Sequence, residues 1–204
     1  MSITAKEKFS LTLSSKPDSC NGQRRIDVED LVSLFNACFV QSECTELCHG
    51  AEEPIYLPAD DQCSLARVVS TLDYFSSALH EVSHWCIAGE KRRTLIDYGY
   101  WYEPDGRDEA TQALFEKVEV KPQALEWIFS KACGVNFRLS VDNVALPELK
   151  PSAFFIDAVT QQANRYLEQG MPGRGRVFME ALVAFYGTQE SFSQKPLFAA
   201  SMLD

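Results

Sequence analysis

The run Tyr74-Phe75-Ser76-Ser77-Ala78-Leu79-His80-Glu81-Val82-Ser83-His84 decides how the chain is read. Phe75, Leu79, Val82 and Cys86 recur at three- and four-residue steps and mark the core face of a helix. Asp73 is the expected N-cap and Gly89 the expected C-terminal stop. Four residues on a helix turn the chain by about 400°, so His80 and His84 share one face, one turn apart. Two imidazoles so placed can bind one metal ion. Glu81, about 100° round the helix, reaches a metal-bound water rather than the metal. His-Glu-x-x-His on a helix is the signature of a helix-borne metal site. The chain has three histidines and two stand here, which favours a site over two core-edge histidines held by hydrogen bonds.

Working outward, Val28, Leu31, Val32, Leu34, Phe35 and Phe39 fit an amphipathic helix starting near Asp27. Residues 41–53 read as polar and turn-like. Pro54-Ile55-Tyr56-Leu57-Pro58 reads as a short edge strand bracketed by prolines. Ala66-Arg67-Val68-Val69-Ser70 reads as the next strand, with a turn from Thr71 to Asp73 before the helix. Leu95 to Tyr102 is aromatic and reads as a strand or hairpin, with a turn at Pro104-Asp105-Gly106. Its rings wall a substrate channel or pack on the core. Helices are expected from Arg107 to Val118, from Ala124 to Gly134 after a joint at Pro122, from Phe154 to Leu167 and from Arg176 to Tyr186. Residues 140–152 read as a loop. Residues 1–24 are expected to be a flexible arm, residues 25–187 one domain, and residues 188–204 a poorly ordered tail. No repeat is present.

The composition, 46% hydrophobic and 24% charged over 204 residues, is that of a globular protein. No apolar run is long enough to span a bilayer, and residues 1–20 lack a signal core. An intracellular, cytoplasmic enzyme of bacterial type is expected. The net charge of −10 disfavours nucleic acid and suits a cationic substrate group. Lys91-Arg92-Arg93 and the pair Arg174 and Arg176 are expected to be solvated surface. Seven cysteines without a secretion signal read as reduced thiols, and Cys44, Cys48 and His49 lack the matching pair a second metal site needs.

Two histidines hold a metal weakly, so a third ligand is expected. Glu103 lies nineteen residues past His84. Glu116, Glu119 and Gln123 stand on one face of a later helix, and His49 is a further option. The spacing leaves all of these open. Two histidines and a carboxylate suit non-haem Fe(II), which activates dioxygen, and equally suit a catalytic zinc whose water Glu81 deprotonates.

Longer motifs surround the metal stretch. They are Asp30-Leu31, Leu34-Phe35-Asn36, Glu53-Pro54-Ile55-Tyr56-Leu57-Pro58-Ala59, His80 through Gly89, Asp97-Tyr98-Gly99-Tyr100-Trp101-Tyr102, Pro104-Asp105-Gly106-Arg107 and Val118-Glu119-Val120-Lys121-Pro122-Gln123-Ala124-Leu125. Together they resemble the bacterial elongation factor P hydroxylases, over roughly residues 25–187. The resemblance implies an iron-dependent protein-lysine hydroxylase, a monooxygenase that adds oxygen to the β-lysyl-modified lysine of elongation factor P. It implies Fe(II) as cofactor and dioxygen as co-substrate. It favours Glu119 as the third ligand, inside the Val-Glu-Val-Lys-Pro-Gln-Ala motif, with Glu103 second. It also implies an α+β fold outside the double-stranded β-helix class, and the chain has no His-x-Asp motif. The expected architecture resembles a zincin: a single helix-rich domain with a small sheet over the metal-binding helix. Glu81 is expected as the catalytic proton carrier. Glu103, Asp105 and Tyr100 are expected near the substrate. The alternative is a zinc-dependent peptidase or amidase with Glu81 as general base. A non-enzymatic rival is an interaction protein with a closed structural metal site, which would not need Glu81.

Overall fold

The computed structural model describes residues 26–99, 107–141, 149–193 and 195–203. The described chain is mixed α+β. It runs α1 (Val28–Glu43), β1 (Thr45–Ala51), β2 (Ile55–Leu57), β3 (Ala66–Thr71), α2 (Phe75–Ile87), α3 (Glu109–Cys133), α4 (Ala153–Gln169) and α5 (Gly173–Tyr186), with short 3-10 turns between and after them. The residues expected in the arm lie outside the described residues.

Asp27 caps α1 as expected, its carboxylate accepting the Glu29 N–H. Val28, Leu31, Leu34, Phe35 and Phe39 bury one face. The sheet has the order β1-β3-β2. β1 runs parallel to β3, with Thr45 beside Ala66 and His49 beside Ser70. β2 runs antiparallel to β3, with Tyr56 beside Val68. The proline-bracketed segment is therefore an edge strand, as its sequence indicates.

Each sheet edge is closed by a side chain. On the free side of β1, Asn36 accepts the Leu47 N–H at 2.7 Å and donates to the Leu47 carbonyl at 3.3 Å. On the free side of β2, the Tyr56 N–H donates to Asp97 Oδ1 at 3.1 Å. At these positions the main chain is closed to another strand.

Several expectations need correction. Residues 41–53 are not all turn: Thr45 and Leu47 face inward on β1 while Glu46 and Cys48 are half-exposed, a period-two pattern masked by its polar composition. The segment from Leu95 is no strand, since Ile96–Gly99 forms a 3-10 turn. The rest of that aromatic run lies outside the described residues. Pro122 makes no joint, because α3 is continuous through it. The carbonyl that loses its ladder bond belongs to Val118, which is exposed and can be hydrated, while Phe115 before the proline and Ala124, Leu125 and Ile128 after it are buried. α5 begins at Gly173 rather than Arg176. A Cβ on Gly175 would stand 3.3 Å from both methyls of Leu125, so glycine lets the first turn of α5 approach α3 closely. Beyond Gly187, Phe198 is buried, stacks edge-on against Trp127 at 4.7 Å, and its carbonyl accepts the Asn164 amide.

The core lies behind α2. Trp85 is fully buried, with Phe35 at 4.9 Å and Phe39 at 4.8 Å, and Phe178 joins them from α5. The opposite face of α2 looks onto α3.

Candidate metal centre

α2 carries the two histidines as the spacing predicts. Its ends differ from expectation. Tyr74, not Asp73, is the N-cap and makes no side-chain cap bond, whereas Ser77 in the first turn accepts the Thr71 N–H at 3.0 Å. At the other end Ala88, not Gly89, is the C-cap. No left-handed glycine is needed, because Arg174 from α5 supplies the donors. Its Nη2 meets the carbonyls of Trp85 at 2.8 Å, Cys86 at 3.3 Å and Ala88. Its guanidinium lies 4.6 Å from the Trp85 ring centre, and Glu43 pairs with it and with Arg93. Arg174 is therefore a buttress of the histidine helix rather than solvated surface.

His80 and His84 turn toward each other with their Nε2 atoms 3.2 Å apart. Glu119 on α3 faces both: Oε1 is 3.2 Å from His84 Nε2 and Oε2 is 3.6 Å from His80 Nε2. The three residues present ligand atoms within 4.8 Å of one another, the one such group among the described residues. The donor set is two imidazole nitrogens and a carboxylate oxygen, the set that suits iron(II) or zinc. The site fits a metal in a further way. His80 Nδ1 is 2.8 Å from Glu126 Oε2, so Nδ1 carries the hydrogen and Nε2 keeps its lone pair for an ion.

The same carboxylates favour a proton on His80, which a bound ion would displace from Nε2. Burial opposes a protonated His80, but the Glu126 hydrogen bond and the charges of Glu126, Glu119 and Glu81 outweigh it and push the pKa up to about 10. Burial likewise opposes an ionised Glu119, yet His84, His80 and the Gln123 amide hold its carboxyl down at about 2. An anionic pocket that draws a proton onto an imidazole in this way will also draw a metal cation. Burial pushes the Glu81 carboxyl up, helped by the charges of Glu119 and Asp97 and opposed by His80 and His84.

The other options for third ligand fall elsewhere. Glu116 turns to α4, where it accepts the Ser152 N–H at 3.2 Å and the Ser152 hydroxyl. His49 pairs with Glu29 at 2.8 Å and with the Leu72 carbonyl at 3.1 Å. Glu103, Asp105 and Tyr100 lie outside the described residues. Glu126 was not foreseen in the sequence. Its signal was there: Glu119, Gln123 and Glu126 stand at i, i+4 and i+7 on one face of α3.

This arrangement defines a helix-borne candidate metal centre of two histidines and one carboxylate. A family model described as elongation factor P hydroxylase matches residues 34–196. A protein of Haemophilus influenzae, named elongation factor P lysine hydroxylase, is 47% identical over 168 residues, covering 81% of this chain and 93% of that protein. The chain belongs to the elongation factor P hydroxylase family. The peptidase or amidase alternative finds no support in these comparisons. No described helix is long and apolar enough to cross a membrane.

Proposed function

We propose that the chain hydroxylates the β-lysyl-modified lysine of elongation factor P, as a cytoplasmic iron-dependent monooxygenase. The observation that carries this is the convergence of His80, His84 and Glu119 in a chain of this family. These three residues are the metal ligands. Fe(II), when bound, supplies the activation of dioxygen that a side-chain carbon–hydrogen bond requires. One oxygen atom enters the lysine and the other leaves as water, with two electrons from an external reductant and two protons.

The chain's own residues do the rest. Glu126 holds the Nδ1 hydrogen of His80 and fixes its ring. Glu119 is buried, so it is held against competing water. Glu81 is half-buried beside the histidines, and its raised pKa lets it hold and pass a proton at its carboxyl oxygen. Glu103 and Asp105 hold the ammonium groups of the substrate, and Tyr100 lines its approach. Alanine replacement of each tests these roles, and unchanged affinity for the modified factor removes that residue from the account.

The test of the function itself is the metal content of protein purified without added metal, joined to mass analysis of β-lysylated elongation factor P after aerobic reaction. Iron at about one equivalent and a gain of one oxygen atom on the substrate support the reading. Tight zinc with no mass gain overturns it.

A further inference from the structure

We infer that Gln123 is a positioning residue that keeps one oxygen of Glu119 off the metal, so that the carboxylate serves through the other. The inference rests on Glu119 being a metal ligand, as proposed above. Gln123 is 1% exposed and stands one turn beyond Glu119 on α3. Its amide is engaged on both sides. Oε1 accepts the Ser140 N–H at 2.9 Å, and Nε2 donates to the Ser140 carbonyl at 2.8 Å and to Glu119 Oε2 at 3.3 Å.

The two main-chain bonds to Ser140 fix which way the amide points. Rotating it by half a turn would set Nε2 against the Ser140 N–H, and Oε1 against both the Ser140 carbonyl and Glu119. The group facing Glu119 is therefore a donor, and Oε2 is the oxygen it claims. Oε1 carries no such donor and is the nearer of the two to the imidazoles, 3.2 Å from His84 Nε2 against 3.6 Å between Oε2 and His80 Nε2. A carboxylate bound through one oxygen fills one position on an ion, whereas one bound through both fills two. The second case would close a position that the chemistry proposed above needs open. Because the amide is clamped to Ser140, the setting of Glu119 also depends on the segment that follows α3.

Cobalt(II) is the probe, since its visible absorption weakens as coordination number rises. Gln123→Met keeps the side-chain volume and removes the donor. The folded variant is expected to bind about one equivalent of cobalt(II) with a several-fold weaker visible band, as Oε2 joins the ion. A spectrum superimposable on that of the unmodified protein overturns the inference and leaves the metal site standing. Should Gln123→Met fail to fold, Gln123→Leu carries the same expectation, because it too removes the donor to Glu119. If the unmodified protein binds no cobalt(II), or if His80→Ala leaves the spectrum unchanged, the ligand assignment fails and this inference fails with it.

Discussion

His80 Nδ1 and Glu126 Oε2 stand 2.8 Å apart, joining the first histidine of α2 to a carboxylate of α3 that is not itself among the converging ligand atoms. A carboxylate behind a histidine fixes its tautomer and raises its basicity. Loss of such a partner costs about 10- to 100-fold in metal affinity. Glu126→Ala is expected to show a loss in that range, read by competition with a chelator. An unchanged dissociation constant would mean that the pair only closes the helix interface.

Metal removal should loosen the protein without unfolding it. Trp85, Phe35, Phe129, Phe178 and the leucines beside them are buried away from the ligands, so the core forms on its own. At a free metal concentration about a hundredfold above the dissociation constant, binding should stabilise the fold by about 2.7 kcal/mol. Calorimetry with and without chelator checks this. The metal-free protein is expected to keep a cooperative transition at a lower midpoint. A metal-free chain with no transition would point to a structural metal instead.

Arg174 should matter for stability far more than Arg176. The first caps buried carbonyls at the end of α2, while the second makes an exposed pair with Glu180. Hydrogen bonds from a charged donor contribute roughly 1.5–3 kcal/mol. Arg174→Met is expected to lower unfolding stability by about that amount, and Arg176→Met by well under 1 kcal/mol. Urea denaturation of the two variants compares them, and equal midpoints would contradict the capping role.

The His49–Glu29 pair ties the end of β1 to the first turn of α1 and adds a pH dependence. The Glu29 hydrogen bond raises the His49 pKa above its ordinary 6.5. A raised histidine contributes stability that is fully present below the unfolded-state pKa and is lost as pH rises through the folded-state value. The advantage of the unmodified protein over His49→Asn should therefore be largest below the ordinary histidine pKa of 6.5 and shrink as the pH rises above it. The effect is small because Glu29 is largely exposed. An advantage that grows with pH would contradict the assignment.

The histidine helix, the edge strand and the cap at Asp27 were legible because each rests on local chemistry: a four-residue spacing, a pair of prolines, an acceptor side chain. β1 and the unbroken α3 were not, because tertiary contacts decide them. β1 exists through its parallel pairing with β3, and α3 runs through Pro122 because both flanks are buried. At the site, the spacing on α3 placed Glu116, Glu119 and Gln123 on one face but left His49 and Glu103 open beside them. Which carboxylate faces the histidines depends on how α3 packs on α2, and Ser152 draws Glu116 away to another helix. The end of α2 was misread for the same reason. Its cap comes from Arg174, eighty-nine residues beyond Trp85.

The most direct test is mass analysis of β-lysylated elongation factor P after reaction with iron-loaded protein in air, run beside His80→Ala and Glu119→Ala. The proposal predicts a gain of one oxygen atom on the modified lysine, lost in both variants. Full hydroxylation by either variant, or none by the iron-loaded unmodified protein, would contradict it.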